Sequence, residues 1–135
     1  MFDSFDTSVS GLVAHRVWLD TIQANMANVH TTRDAQGRPN PYQRRYPVFS
    51  VADGGRSPGV EVHSVEAEEG FRLKMDPGHK DAIQSGPLKG YVRMPKVDWY
   101  KEMVNGMLVQ RAYEANITAL QISRQMYMAD LRLLA

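Results

Sequence analysis

Cysteine is absent from these 135 residues, which removes disulfides, thiolate metal sites and a cysteine nucleophile together. There is no run of 18 apolar residues, so a conventional membrane span is excluded. The amino terminus, MFDSFDTSVSG, begins acidic and has neither a basic n-region nor a continuous apolar h-region, so no secretory signal peptide is expected. These absences place the chain in the cytoplasm unless an export machine that needs no cleaved signal handles it. A surplus of one charge is missing too. Sixteen Lys and Arg stand against fifteen Asp and Glu, and by region residues 1 to 32 carry one base and three acids, 33 to 98 eleven and nine, and 99 to 135 four and three. No region has the basic excess of a nucleic-acid footprint, so no nucleic-acid partner is expected.

Catalytic patterns are equally sparse. His15 and His30 lack the i, i+4 spacing that sets two metal ligands on one helix face. His79, in DPGHKD with Asp76 and Asp81, is where a metal-dependent enzyme would be sought, but Asp-Pro-Gly is first a turn signal. EAEE, residues 66 to 69, reads as a solvated charge run between strands rather than a pair of catalytic carboxylates. Neither Ser57 nor Ser85 sits in a G-x-S-x-G elbow. Gly54-Gly55 is a turn pair without the flanking pattern of a phosphate loop. No enzymatic activity, cofactor or metal is expected.

What the chain does have is helix at both ends. Proline is absent after Pro95 and glycine after Gly106, so the stretch from Trp99 to Ala135 reads as one helix of roughly 54 Å, about three times the average. Asp98 can cap its first turn, with Glu102 close behind to favour the positive dipole end. Sevens from Met103 give Met103, Gln110, Ile117, Arg124 and Leu131, and sevens from Gly106 give Gly106, Tyr113, Leu120, Tyr127 and Leu134. Both rows fall on one stripe of coiled-coil spacing, interrupted by Gln110 and Arg124. Residues 3 to 29 form a second helix, capped by Asp3 or Ser4, with Phe5, Leu12, Leu19 and Met26 at sevens and Val9, Ile22 and Val29 beside them. Gly11 is its one weak point.

The middle is irregular and β-like. Residues 30 to 41 form a loop; 42 to 51 form an edge or bulged strand containing Pro47; 52 to 59 form a turn. Val60, Val62 and Val65, and then Phe71, Leu73 and Met75, alternate as strands. Residues 75 to 82 turn, and 90 to 98 lead into the long helix as an extended approach. The expected fold is mainly α: long terminal helices forming a coiled-coil-like unit, with a small antiparallel β-hairpin insert. The parts are a helix over residues 1 to 32, a loop and hairpin lobe over 33 to 98, and a helix over 99 to 135. Two helices and a thin lobe bury little, so oligomerisation is expected to supply the rest. Eight methionines suit adaptable contacts. Arg44 and Arg45 with Tyr42 and Tyr46 form a patch expected to meet a protein neighbour.

Residues 10 to 33, SGLVAHRVWLDTIQANMANVHTTR, resemble the amino-terminal signature of the flagellar rod and hook axial proteins. The match rests on Leu12, Ala14, Ile22, Asn25, Ala27, Asn28, Thr31, Thr32 and Arg33. DPGHKDA, GYVRMPKVD and EMVNGMLVQRAYEANITAL narrow it to a resemblance to the FlgC family of proximal-rod proteins. Lys80, Lys96, His30, Trp99 and Tyr100 depart from that family's pattern. The resemblance implies a structural subunit of the basal body, exported without a cleaved signal and polymerised in the periplasm to transmit torque and enclose the export channel. Its implied partners are other rod proteins, the junction of export gate and MS ring, and further copies of itself. The expected assembly interface comprises Leu12, Leu19, Ile22, Asn25, Met26, Asn28, Tyr113, Asn116, Ile117, Leu120, Tyr127 and Leu131. A soluble coiled-coil adaptor is the alternative.

Overall fold

The computed structural model describes residues 2–52 and 59–134. Helix α1 spans Phe2–Ala27, helix α2 spans Trp99–Leu134, and between them four strands form two antiparallel ribbons. α2 starts where expected: Asp98 Oδ1 accepts the Tyr100 and Lys101 amides at 3.0 and 3.2 Å, satisfying two first-turn donors that have no intrahelical acceptor. α1 already contains residues 3 and 4, so the start expected there moves earlier; those two side chains lie outside the described residues. At its other end Asn28 Nδ2 donates to the Ala24 carbonyl at 2.8 Å while Asn28 Oδ1 accepts the Thr31 hydroxyl at 3.0 Å. The last turn is thereby closed and the exit turned at once.

The helices run antiparallel, with Gly11 against Asn116, Ile22 against Gly106 and Asn25 against Glu102. α2 keeps the expected row of Gly106, Tyr113, Leu120 and Tyr127 partly covered. Its companion row is another one. Of the expected members Met103 and Ile117 are half-buried but Gln110, Arg124 and Leu131 are exposed, whereas Glu102 and Val109 are buried and Asn116 and Ser123 half-buried. Met103 lies three residues before Gly106 and Glu102 four, so both phases keep the 3-4 spacing and only the facing surface selects between them. That surface is small and polar. A Cβ on Gly11 would meet Asn116 Nδ2 at 2.8 Å, so the absent side chain is what admits the Asn116 amide. On α1, likewise, Gly11, Ala14, Thr21, Ile22 and Asn25 are buried, while the row Phe5, Leu12, Leu19 and Met26 is only half-buried and Val9 is exposed.

α1 is covered from two sides. Strands β1 (Arg44–Val51) and β2 (Val60–Glu68) lie along it, with the Trp18 and Phe49 rings 5.6 Å apart and Ser10 Oγ accepting the Val60 amide at 3.2 Å. Of the edge or bulged strand expected around Pro47, the edge is realised: β1 pairs only with β2, and the extra residue lies on that partner. Pairing passes from Val48↔Ser64 to Phe49↔Val62, which leaves His63 of β2 over. Val60, Val62 and Ser64 are half-buried, whereas Val65 falls at odd spacing on the other face and is exposed. Of the turn expected over residues 52–59, residues 53–58 lie outside the described residues.

The single hairpin lobe becomes two ribbons because the extended approach to α2 is itself a strand. β3 (Phe71–Met75) pairs with β4 (Tyr91–Pro95), and Val92 and Met94 of β4 bury against Ala82. Gly90 turns the chain into β4 at φ +84°, a conformation L side chains avoid. Phe71, Leu73 and Met75 remain exposed, and the Arg93 guanidinium lies 4.9 Å from the Phe71 ring centre.

Candidate functional site

The polar groups that the fold buries converge where α1, β1 and the first turn of α2 meet. Asn25, on the inner face of α1, is 1% exposed. Its Oδ1 accepts the Arg45 amide at 2.8 Å and its Nδ2 donates to the Arg45 carbonyl at 2.8 Å, so the side chain pairs with both main-chain groups of one β1 residue, as a residue of a neighbouring strand would. The same Oδ1 accepts the Tyr42 hydroxyl at 3.1 Å, and Nδ2 also lies 3.1 Å from Glu102 Oε2. Glu102 is itself 1% exposed, and its Oε1 accepts Arg44 Nε at 2.7 Å. Arg44 continues the chain to Glu68 at 3.5 Å, and Glu68 takes Lys96 Nζ at 2.6 Å. That bond to Lys96 holds the Glu68 carboxyl below its usual range, while burial raises the Tyr42 phenol. No buried side-chain polar atom is left unpartnered among the described residues. This matters because a charge buried without its partner is strongly destabilising.

A second cluster fastens the exit of α1 to the turn before β4. Asp81 Oδ1 accepts Arg33 Nε at 2.8 Å and lies 2.6 Å from Arg33 NH2, and Asp81 Oδ2 accepts the Thr32 hydroxyl at 2.7 Å. Arg33 holds the Asp81 carboxyl below its ordinary value against the opposing effect of burial, with Thr32 assisting. The Asp81 amide donates to His79 Nδ1 at 3.0 Å. The residues that offered a metal loop thus bind an arginine and close their own turn, and among the described residues no cluster of His and carboxylates is arranged for a metal.

Of the expected interface residues, Ile22 and Asn25 are buried; Leu12, Leu19, Met26, Asn28, Tyr113, Asn116, Ile117, Leu120 and Tyr127 are half-buried; Leu131 is exposed. Asn25 and Asn28 spend their amides inside the chain, and Asn116 Nδ2 lies 3.3 Å from His15 Nδ1. Arg44 and Tyr42 also spend polar groups inside the chain, while Arg45 stays exposed with its guanidinium 5.9 Å from the Tyr42 ring centre; Tyr46 bonds Glu66 at 3.1 Å. Nor is EAEE merely solvated, since Glu66 and Glu68 both have partners. Glu102, Arg44, Glu68 and Lys96 escaped sequence reasoning as a site. The available signal was Glu102 itself, seven residues before the apolar Val109 on the covered face.

The surface left uncovered is apolar. Because Gly11 sits opposite Asn116, α2 runs past the start of α1 by roughly two turns, and Ile122, Met126, Met128, Leu131 and Leu133 are exposed towards that end. No described helix is long and apolar enough to cross a membrane.

Residues 88–133 match the family model described as flagellar basal body rod FlgEFG protein C-terminal. Curated relatives cover nearly the whole chain. A flagellar basal-body rod protein FlgC of Borreliella burgdorferi is 37% identical over 99% of this chain and 97% of its own length. The corresponding proteins of Bacillus subtilis and Salmonella typhimurium are 36% and 35% identical, each over 98% of this chain and 97% of the relative.

Proposed function

The chain belongs to the FlgC family of flagellar basal-body rod proteins, and from that premise we propose how its parts build the rod. It is a structural subunit of the basal-body rod and assembles with other rod components. Within the rod it occupies the proximal part, in the periplasm, after export without a cleaved signal. The two terminal helices, residues 1 to 32 and 99 to 135, are the polymerising elements, packing in coiled-coil fashion against neighbours to transmit torque and enclose the export channel. The lobe over residues 33 to 98 lies outside them. Neighbours are other rod proteins, further copies of the chain and the junction of export gate and MS ring, and the chain catalyses nothing.

One observation carries this reading. The accessible surface is 9617 Å² for a chain of 15.3 kDa, about a third more than the roughly 7,100 Å² expected of a compact monomer of that mass. Exposed apolar side chains recur along the flank and far end of α2, Val104, Met107, Leu108, Ile122, Met126 and Leu133 among them, a surface that suits a polymer. Leu12, Leu19, Met26, Ile117, Leu120, Tyr127 and Leu131 lie on or beside it and serve as contacts; Asn25, Asn28, Tyr113 and Asn116, with Ile22, set the angle of the helices that present it. Leu120→Asp tests this. Motility should be lost while the variant is still exported and keeps its helical circular dichroism. Normal swimming would count against the reading, and so would absence of the wild-type protein from purified hook-basal bodies by mass spectrometry.

A further inference from the structure

The two ribbons of the lobe carry opposite charge and leave most of it unanswered. From Val60 to Gly70 the chain has Glu61, Glu66, Glu68 and Glu69 and no Lys or Arg, whereas β3 has Arg72 and Lys74, β4 has Arg93, and neither strand has an acid. Lys96 and Arg44 hold Glu68. Glu66 takes the Tyr46 and Ser64 hydroxyls and Glu61 the Ser50 hydroxyl, neutral donors that leave the charge in place and lone pairs to spare. On the other ribbon Arg93 lies over its own Phe71 ring, Lys74 is 3.8 Å from Asp76, and Arg72 has no ion-pair partner among the described residues. β2 pairs only with β1 and β3 only with β4, so each keeps an outer edge without a ladder partner. The Ser10 hydroxyl takes the Val60 amide at the end of β2 away from Glu66.

An exposed strand edge is a template for a strand of another chain, and here charge decides which. All five residues of β3 are exposed, Phe71, Leu73 and Met75 on one face at 46%, 42% and 59%, Arg72 and Lys74 on the other. Two β3 edges joined antiparallel about Leu73 would set Arg72 opposite Lys74, which repels. Two β2 edges would bring together carboxylates with no cation between them. β2 against β3 is the pairing that matches. Val65, 46% exposed, shares a face with Ala67, and Glu66 between them lies on the other face. Arg45 is exposed too, but it stands opposite Ala67 and so away from the Glu66 face; Arg44, on that face, is held by Glu102 and Glu68. We propose that β3 of one copy adds antiparallel to the outer edge of β2 of a second copy, Leu73 opposite Val65, Phe71 opposite Ala67 and Arg72 opposite Glu66. The two edges are different surfaces of the chain, so the contact is heterologous and repeats from copy to copy instead of ending at a dimer. This inference rests on the rod reading and adds a contact in the lobe to those of the helices.

The chain has no cysteine, so an introduced pair reports alone, and directly opposite residues of paired strands are close enough for a disulfide. Hook-basal bodies are purified from cells expressing only a Val65→Cys, Leu73→Cys chain and oxidised. A ladder of linked dimers and higher multimers is expected. Leu73→Cys alone should give none; a dimer from it would show β3 meeting β3 and overturn the pairing. Arg72→Glu with Lys74→Glu should abolish the ladder, and adding Glu66→Lys should restore it. If the chain is in the particles but forms no ladder, links only to a different rod protein, keeps its ladder through the charge reversal or does not regain it with Glu66→Lys, the proposal falls and the rod reading stands. Should the cysteines themselves keep the chain out of the particles, swimming decides. The charge reversal in the cysteine-free chain should stop it and Glu66→Lys should bring it back; swimming that withstands the reversal, or stays lost, overturns the proposal. Absence of the wild-type chain from the particles overturns the rod reading as well.

Discussion

Asn25 shows how much one side chain can organise. It spans α1, β1 and α2 with four bonds, two of them to the main-chain amide and carbonyl of Arg45 in β1. Alanine there leaves the Arg45 amide and carbonyl without their partner and removes a donor from Glu102, so Asn25→Ala should lower stability by about 2 to 4 kcal/mol. The urea midpoint reads this directly, and a loss well under that range would mean that water takes over the vacated positions. Asp81 makes a prediction with a sign. Its pKa is depressed in the folded state, so the stability it contributes is complete above the ordinary value of 3.8 and is lost as pH falls through the depressed one. Asp81→Asn should therefore be less stable than the wild type at neutral pH, lose less on acidification, and converge with it in strong acid. Urea midpoints as a function of pH should show a shallower acid limb. Some slope should remain, because Glu68 is depressed as well.

Among the elements, α1 is central and α2 peripheral. α1 is buried between α2 on one side and β1 and β2 on the other, which is why apolar or small residues occur around most of it. Beyond its first turn, where Glu102 also bonds Arg44 of β1, α2 packs chiefly on α1, so its remaining faces stay wet despite their Met, Leu and Ile. Gly106 lies on the contact face, but a Cβ there would meet Ile22 Cγ2 at 3.7 Å, an ordinary contact. Gly106→Ala should consequently stabilise the chain by up to about 1 kcal/mol through helix propensity alone. A rise in thermal midpoint checks it; a fall would mean that the helices approach more closely at this crossing than the fold indicates.

The whole molecule is an antiparallel helix pair with one end gathered into ribbons and the other bare. Backbone stability should follow that gradient. In the isolated subunit the amides of α2 beyond Tyr127, the last half-buried member of its covered row, should exchange hydrogen by local opening well below the global unfolding energy, while those around Val109 should not. In assembled rods the same terminal amides should become protected, since burial against a neighbour adds the contacts the monomer lacks. Exchange mass spectrometry on monomer and on purified basal bodies compares the two states. Equal exchange in both would show that the apolar end of α2 does not enter the assembly.

Both helices, the Asp98 cap, the edge character of the strand that holds Pro47 and the family signature could be read from the sequence alone, because each depends on neighbours within a few residues: no proline, a carboxylate before a first turn, a missing amide in a strand. The face on which the helices meet could not. Rows one residue apart have equal claim by spacing, and the choice between Met103 and Glu102 fell to the small and polar surface of α1. Tertiary structure also decided that β3 takes β4 as its partner, that Tyr42 and Arg44 turn inward, and that Asn25 and Glu102, 77 positions apart, share a buried bond. Such partners leave no local periodicity, since what joins them is the need of each buried polar group for another, met only when distant segments pack.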